Sequence, residues 1–140
     1  MLVGYLLDTN IVSAIIQGNT SVKAKFLEMI VAMPIAISAI TYFECRRGLL
    51  ANKSQKKIQA FSDFCRLVDI LPVTHPEIVN IASEIYADLR SRGCLIQDAD
   101  ILIAATAIAQ NWILISNDSD LSRVQGLQLE NWLIREEPRG

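Results

Sequence analysis

Short apolar runs alternate with amphipathic stretches along the chain. Val3 to Leu7 is apolar and ends at Asp8, after which Ile11, Ala14 and Ile15 recur at helical spacing until Gly18. This predicts a strand feeding a helix over Thr9 to Gln17. A second helix is predicted from Val22 to Val31, stopped by Pro34 before the apolar run Ile35 to Ile40, a second strand. Thr41 then opens a helix ending near Leu50. Ser54 to Leu67 sets Ile58, Phe61 and Cys65 on one face, and Glu77 to Arg90 does the same with Ile78, Ile81, Ala82, Ile85 and Leu89, so both read as amphipathic surface helices. Ile70 to Val73 between them is short enough for a strand, and Gly93 suits a helix C-terminus. Asp100 to Gln110 is apolar nearly all round, as expected of a helix buried on more than one side. Trp112 to Ser116 reads as a strand, Leu127 to Leu133 as an edge strand, and the polar tail 135–140 as frayed.

Strands that alternate with helices in this way predict an α/β fold, a doubly wound parallel sheet with helices on both faces. At 140 residues and 51% hydrophobic composition, one domain spanning 1–140 with a sizeable core is expected. The apolar stretches are too short to cross a bilayer, and the opening residues lack the basic segment and cleavage site of a secretory signal. Cys45, Cys65 and Cys94 are odd in number, widely spaced and outside any CxxC pattern, which fits free thiols in a reducing cytoplasm. The hydrophobic excess is large for a monomer of this size and predicts a homodimer.

Charge adds a local feature. With 13 basic and 15 acidic residues the chain as a whole is no electrostatic nucleic-acid binder. Residues 45–66, however, set Arg46, Arg47, Lys53, Lys56, Lys57 and Arg66 against the single acid Asp63, a local net of +5. They form either a rim for a polyanion or a solvated helical face.

The candidate chemistry lies in the carboxylates. Asp8 follows the first strand, Glu44 falls in the first turn of the helix after the second, Asp118 comes just after the Trp112 strand, and Asp100 opens the buried helix. In a parallel sheet these positions share one edge, where open α/β sheets bind their ligands. Each acid has a plain structural use. Thr41-x-x-Glu44 has the form of a capping box, and Asp8, Asp98 and Asp118 all suit N-cap positions. Several carboxylates converging on one edge nevertheless repel one another unless a cation holds them. An all-oxygen donor set suits Mg²⁺ or Mn²⁺ rather than zinc, and such ions take further ligands from phosphate, which points to hydrolysis of a phosphodiester by an activated water. His75, the sole histidine, precedes a helix and takes no part.

With these residues in place the chain resembles a PIN-domain ribonuclease, and within that family a VapC-type toxin of a bacterial toxin–antitoxin pair. YLLDTNIV is similar to the family's first motif, YFECRRGL to its second, DADILIAATAIA to its third and Ser116-Asn117-Asp118 to its fourth, while GLQLENW resembles the closing segment. The resemblance implies a PIN-like three-layer α/β/α sandwich with a mostly parallel central sheet. It implies metal ligation by Asp8, Glu44, Asp100 and Asp118, supported by Thr9, Asn10, Ser116 and the extra acids Asp98 and Asp120. It further implies a Mg²⁺- or Mn²⁺-dependent endoribonuclease that cuts single-stranded or looped RNA to leave a 5′ phosphate, dimerises through helices, and is inhibited by a cognate antitoxin. Arg46 and Arg47 are the expected contacts to RNA or antitoxin.

Two rival functions come from other classes. A catalytically silent PIN-like scaffold would bind RNA or protein without cutting, and retention of all four acids weighs against it. A phosphotransfer enzyme or receiver domain also keeps an Asp after its first strand, but no DxDx[TV] signature is present.

Overall fold

The computed structural model describes residues 3–133. Its elements run β1 (Tyr5–Leu7), α1 (Thr9–Ile16), α2 (Thr20–Ile30), β2 (Ile35–Ser38), α3 (Ala39–Asn52), α4 (Gln55–Cys65), β3 (Asp69–Leu71), α5 (Pro76–Ser91), α6 (Asp98–Gln110), β4 (Ile113–Ile115), a 3-10 helix (Ser119–Arg123) and β5 (Leu129–Glu130). The fraying expected of 135–140 falls outside the described residues.

The strands form one sheet in the order β3-β2-β1-β4-β5, parallel at every pairing. Side chains leave a strand alternately to its two faces, and the two cores follow that rule. Leu6, Ala36 and Leu114 point to the face covered by α5 and α6. Leu7, Ile35, Ile37 and Ile115 point to the other, where Ile11 and Val12 of α1, Phe26 of α2, Cys45 of α3 and Phe61 and Phe64 of α4 close over them. Three layers result, and strands buried on both sides explain why these runs are apolar throughout. Ile103, Ala104, Ala105 and Ala107 of α6 are fully buried, which accounts for its apolar circumference. At Gly4 a side chain would place its first carbon 2.4 Å from the Trp112 indole, so only glycine lets the strands enter the sheet this closely.

Element boundaries differ from expectation where a polar side chain intervenes. The second strand stops at Ser38 rather than Ile40, because the Ser38 hydroxyl accepts the Ile40 N–H at 3.1 Å and starts α3 there. Thr41 and Glu44 are therefore no capping box. Thr41 is fully buried inside α3, and Glu44 lies in its second turn rather than its first. Earlier in the chain, α2 begins at Thr20, ahead of Val22, capped by Asn19. Asp98 is not an N-cap but the first residue of α6, which starts two residues before Asp100, after Gln97. Finally, β5 is much shorter than Leu127 to Leu133, because the Asn131 side chain accepts the Leu133 N–H at 2.8 Å and turns the chain away.

Candidate active site

The strand order reverses direction at β1. The chain moves outward through β2 and β3, then returns through α5 and α6 to place β4 on the opposite side of β1. Helices following β1 and β4 diverge at such a point and leave a crevice beyond the strand ends. Asp8 and Ser116 stand on its two sides.

Asp8 is 4% exposed. It caps α1, one carboxylate oxygen accepting the Thr9 N–H at 2.8 Å, while the other accepts the Ser116 hydroxyl at 2.7 Å across the switch. The Ser116 oxygen in turn accepts the Asp118 N–H at 3.0 Å and the Asn10 side-chain amide at 3.4 Å, and Asn10 accepts the Asn117 N–H at 3.1 Å. This network ties the first turn of α1 to the loop after β4, so Asp8 and Asp118 cannot drift apart independently. Asp118 accepts the Asp120 N–H at 2.9 Å and caps the 3-10 helix. On the other flank the Thr9 hydroxyl donates to Glu44 at 2.8 Å, with the buried Thr41 hydroxyl 3.5 Å away.

Burial pushes the Asp8 carboxyl above its ordinary range, against the hydrogen bonds from Ser116 and Thr9 that pull it down; the charges of Glu44 and Asp118 add to the rise. Asp100 is pushed up to about 6, first by burial and then by Asp8, Asp118, Glu44 and Asp120, and no hydrogen bond from the described residues opposes it. Asp100, Asp118 and Asp120 line an open cleft of about 420 Å³ together with Leu95, Ile96 and Gln97. Five acids thus stand in one region against two arginines, Arg47 3.8 Å from Glu44 and Arg123 3.0 Å from Asp120, so Asp8, Asp100 and Asp118 have no ion-pair partner among the described residues, an arrangement that a cation would relieve. Among the described residues, no three His, Cys, Asp or Glu side chains close around a single point. The donors are all carboxylate oxygens, the hard type that an oxygen-seeking divalent ion takes, and an ion that keeps part of its water shell needs only some of them.

A PIN domain family model matches residues 5–127. The chain belongs to the PIN-domain family. It is 31% identical over 131 residues to ribonuclease VapC2 of Rickettsia felis, covering 91% of this chain and 97% of that protein. It is 34% identical over 134 residues to ribonuclease VapC2 of Haemophilus influenzae, covering 92% and 98%. In three dimensions it is similar to a chain in the crystal structure of VapBC2 from Rickettsia felis bound to a DNA fragment from their promoter, with a TM-score of 0.80, 32% identity, and coverage of 91% of this chain and 98% of that one.

In this PIN domain the anticipated acids divide into two groups. Asp8, Glu44, Asp118 and Asp120 all lie close enough to raise the Asp100 carboxyl, and Glu44 and Asp118 also raise that of Asp8. Asp98 does not join them: it is exposed, lies outside the acidic cleft and is not among the charges felt by Asp8 or Asp100. Helix geometry explains the difference, since residues two apart on an α-helix point to nearly opposite sides. Asp120 is further tied to Arg123 at 3.0 Å. Thr9, Asn10 and Ser116 form the supporting network, while His75 only caps α5 by accepting the Glu77 N–H.

The basic segment splits in the same way. Arg47 reaches the acids, its guanidinium 3.8 Å from a Glu44 oxygen, and Lys57 lines a small cleft of about 140 Å³ beside Glu44 with Ser13, Gln17 and Asn52. Arg46 instead lines a separate pocket between α3 and α4, with Tyr42, Leu49, Ile58 and Phe61. The sequence pattern gave no sign of the wall formed by Leu95 to Gln97, because a connector without periodicity carries no face. Cys45 neighbours Glu44, but burial and then that charge push its thiol up to about 12, so it is an inert core group.

Ser116→Ala removes a donor to the buried Asp8 and an acceptor for Asp118. It is expected to lower unfolding stability by about 1–3 kcal/mol in urea at neutral pH, with Ser116→Thr retaining most of it. Equal midpoints for all three proteins would contradict the network.

Proposed function

We propose that this chain is a divalent-metal-dependent endoribonuclease that hydrolyses RNA phosphodiester bonds and serves as the toxin of a toxin–antitoxin pair. The observation that carries the proposal is the gathering of Asp8, Glu44, Asp100 and Asp118 at the switch point of a PIN domain. The ribonuclease relatives support the activity, and the likeness to a VapBC2 chain supports a cognate antitoxin as partner. A silent scaffold would gain nothing from a buried Asp8 and an upshifted Asp100, both of which disfavour folding at neutral pH.

Asp8, Asp100 and Asp118, with Glu44, are the residues that would hold Mg²⁺ or Mn²⁺. A bound ion of this kind acidifies water and stabilises negative charge on the phosphorus oxygens. Ser116 and Thr9 N–H fix the two oxygens of Asp8, and Thr9 Oγ1 fixes Glu44, so the carboxylates are oriented before any substrate arrives. Arg47 and Lys57 offset the repulsion that the acids exert on an incoming phosphate backbone. Among the described residues no helix is long and apolar enough to cross a membrane. A cytoplasmic homodimer completes the proposal.

The direct test is cleavage of single-stranded RNA. Activity is expected with Mg²⁺ or Mn²⁺, loss of at least about a hundredfold on adding EDTA, and recovery when the metal is restored in excess. Undiminished cutting in EDTA would sink the metal mechanism.

A further inference from the structure

The face of α3 beside the acids carries an exposed aromatic ring. Phe43 is 57% exposed and immediately precedes Glu44. One turn on, Arg47 holds its guanidinium carbon 5.1 Å from the centre of that ring and a terminal nitrogen 3.8 Å from Glu44. An exposed ion pair at that separation is weak, and so is an exposed cation–π contact, so neither accounts for leaving a phenylalanine in water. Tyr86 is the other large exposed aromatic among the described residues, and it lies within α5. Of the two, Phe43 is the one linked to a site acid, sharing Arg47 with Glu44.

The five acids repel the charged backbone of RNA. A nucleobase is neutral and presents a π face, so stacking draws a strand toward this cluster without adding to the repulsion. Proteins that bind single-stranded RNA use aromatic rings and guanidinium planes for this purpose. We propose that Phe43 and Arg47 form a stacking platform for an unpaired base next to the phosphodiester presented to Glu44 and Asp8. The inference rests on the ribonuclease reading and adds to it a residue and a selection rule. A base inside a duplex already has both faces covered, so the platform accepts only a base that is free to leave its stack.

The test is steady-state cleavage of a single-stranded oligoribonucleotide whose cut site has been mapped with the wild type. Phe43→Ala is expected to raise KM about tenfold and to keep kcat within about twofold, with Phe43→Trp restoring KM. Replacing the base beside the cut by an abasic nucleotide should raise the wild-type KM by a similar factor and leave that of Phe43→Ala unchanged. This non-additivity separates stacking from a structural effect. Val79→Ala, an exposed position on α5, should match the wild type throughout. Equal KM values for wild type, Phe43→Ala and Phe43→Trp, or penalties that simply add, overturn the platform while the nuclease stands. So does a Phe43→Ala protein that cuts RNA normally and fails only in binding a protein partner. If the wild type cuts no RNA with either metal, the ribonuclease reading falls and the platform with it.

Discussion

Asp8→Asn is expected to reduce RNA cleavage by about 10²- to 10³-fold at saturating Mg²⁺ while leaving the fold intact. The substitution keeps the shape of the side chain. Its amide oxygen can still accept the Thr9 N–H, and its amide nitrogen can donate to the Ser116 oxygen in place of the long 3.4 Å bond from Asn10, so the network is kept with one weak bond exchanged. The main loss is the charge, and with it the anionic donor that the proposed metal site would take from its buried side. Stopped-time cleavage assays beside circular dichroism would measure the two effects separately. Wild-type cleavage by a folded Asp8→Asn protein would show that the carboxylate cluster does not perform the chemistry. The asparagine protein should also bind RNA at least as well as the wild type, because removing a negative charge weakens repulsion of the backbone.

Asp100→Asn is expected to make the metal-free protein harder to unfold at neutral pH. The Asp100 carboxyl sits at about 6 in the fold against 3.8 unperturbed, so between those values the folded chain retains a proton that the unfolded chain has released. Stability therefore falls as the pH rises through that window and stays reduced above it. Asparagine escapes this cost. In EDTA near pH 7.5 the variant should melt about 3–5 °C above the wild type, an effect held down by the partial solvent access of the side chain. Near pH 2.5, more than one unit below both values, both forms of the chain are protonated at this position and the difference should vanish. Added Mg²⁺ should reverse the order, raising the wild-type melting point by mass action and the variant's much less. Parallel melting curves across the pH range would mean that Asp100 carries no such burden.

Much of this was legible in the sequence because apolar periodicity reports burial directly. The two-sided burial of Leu6 and Leu7 and the all-round burial of α6 left patterns that only a sandwiched sheet and a buried helix explain. The convergence of Asp8 and Asp118 was equally legible, since both follow strands that had to be parallel. Glu44 was harder. Thr41 and Glu44 imitate a capping box, yet Ser38 begins the helix three residues sooner, and which hydroxyl wins depends on where the strand must end to pair with its neighbours. Local spacing contains no such information. The choice between Asp98 and Asp100 likewise turns on how α6 is rotated against the sheet, a tertiary fact that periodicity blurs when almost every side of a helix is apolar. The binary pattern also fails at Phe43, which by hydrophobicity belongs in the core and lies on the surface instead.

The strand order has a consequence for the life of the chain before it is finished. Synthesis delivers β1, β2 and β3 first, and with them Asp8 and Glu44. The strand that flanks β1 on its other side, and the residues Asp100, Ser116 and Asp118, emerge only in the last third of the sequence. Until then Asp8 has no Ser116 to orient it and the crevice has only one wall. A ribosome making this protein is thus surrounded by RNA while holding a chain whose cutting edge is still in two pieces, and the order of elements itself delays the hazard until the sheet can close.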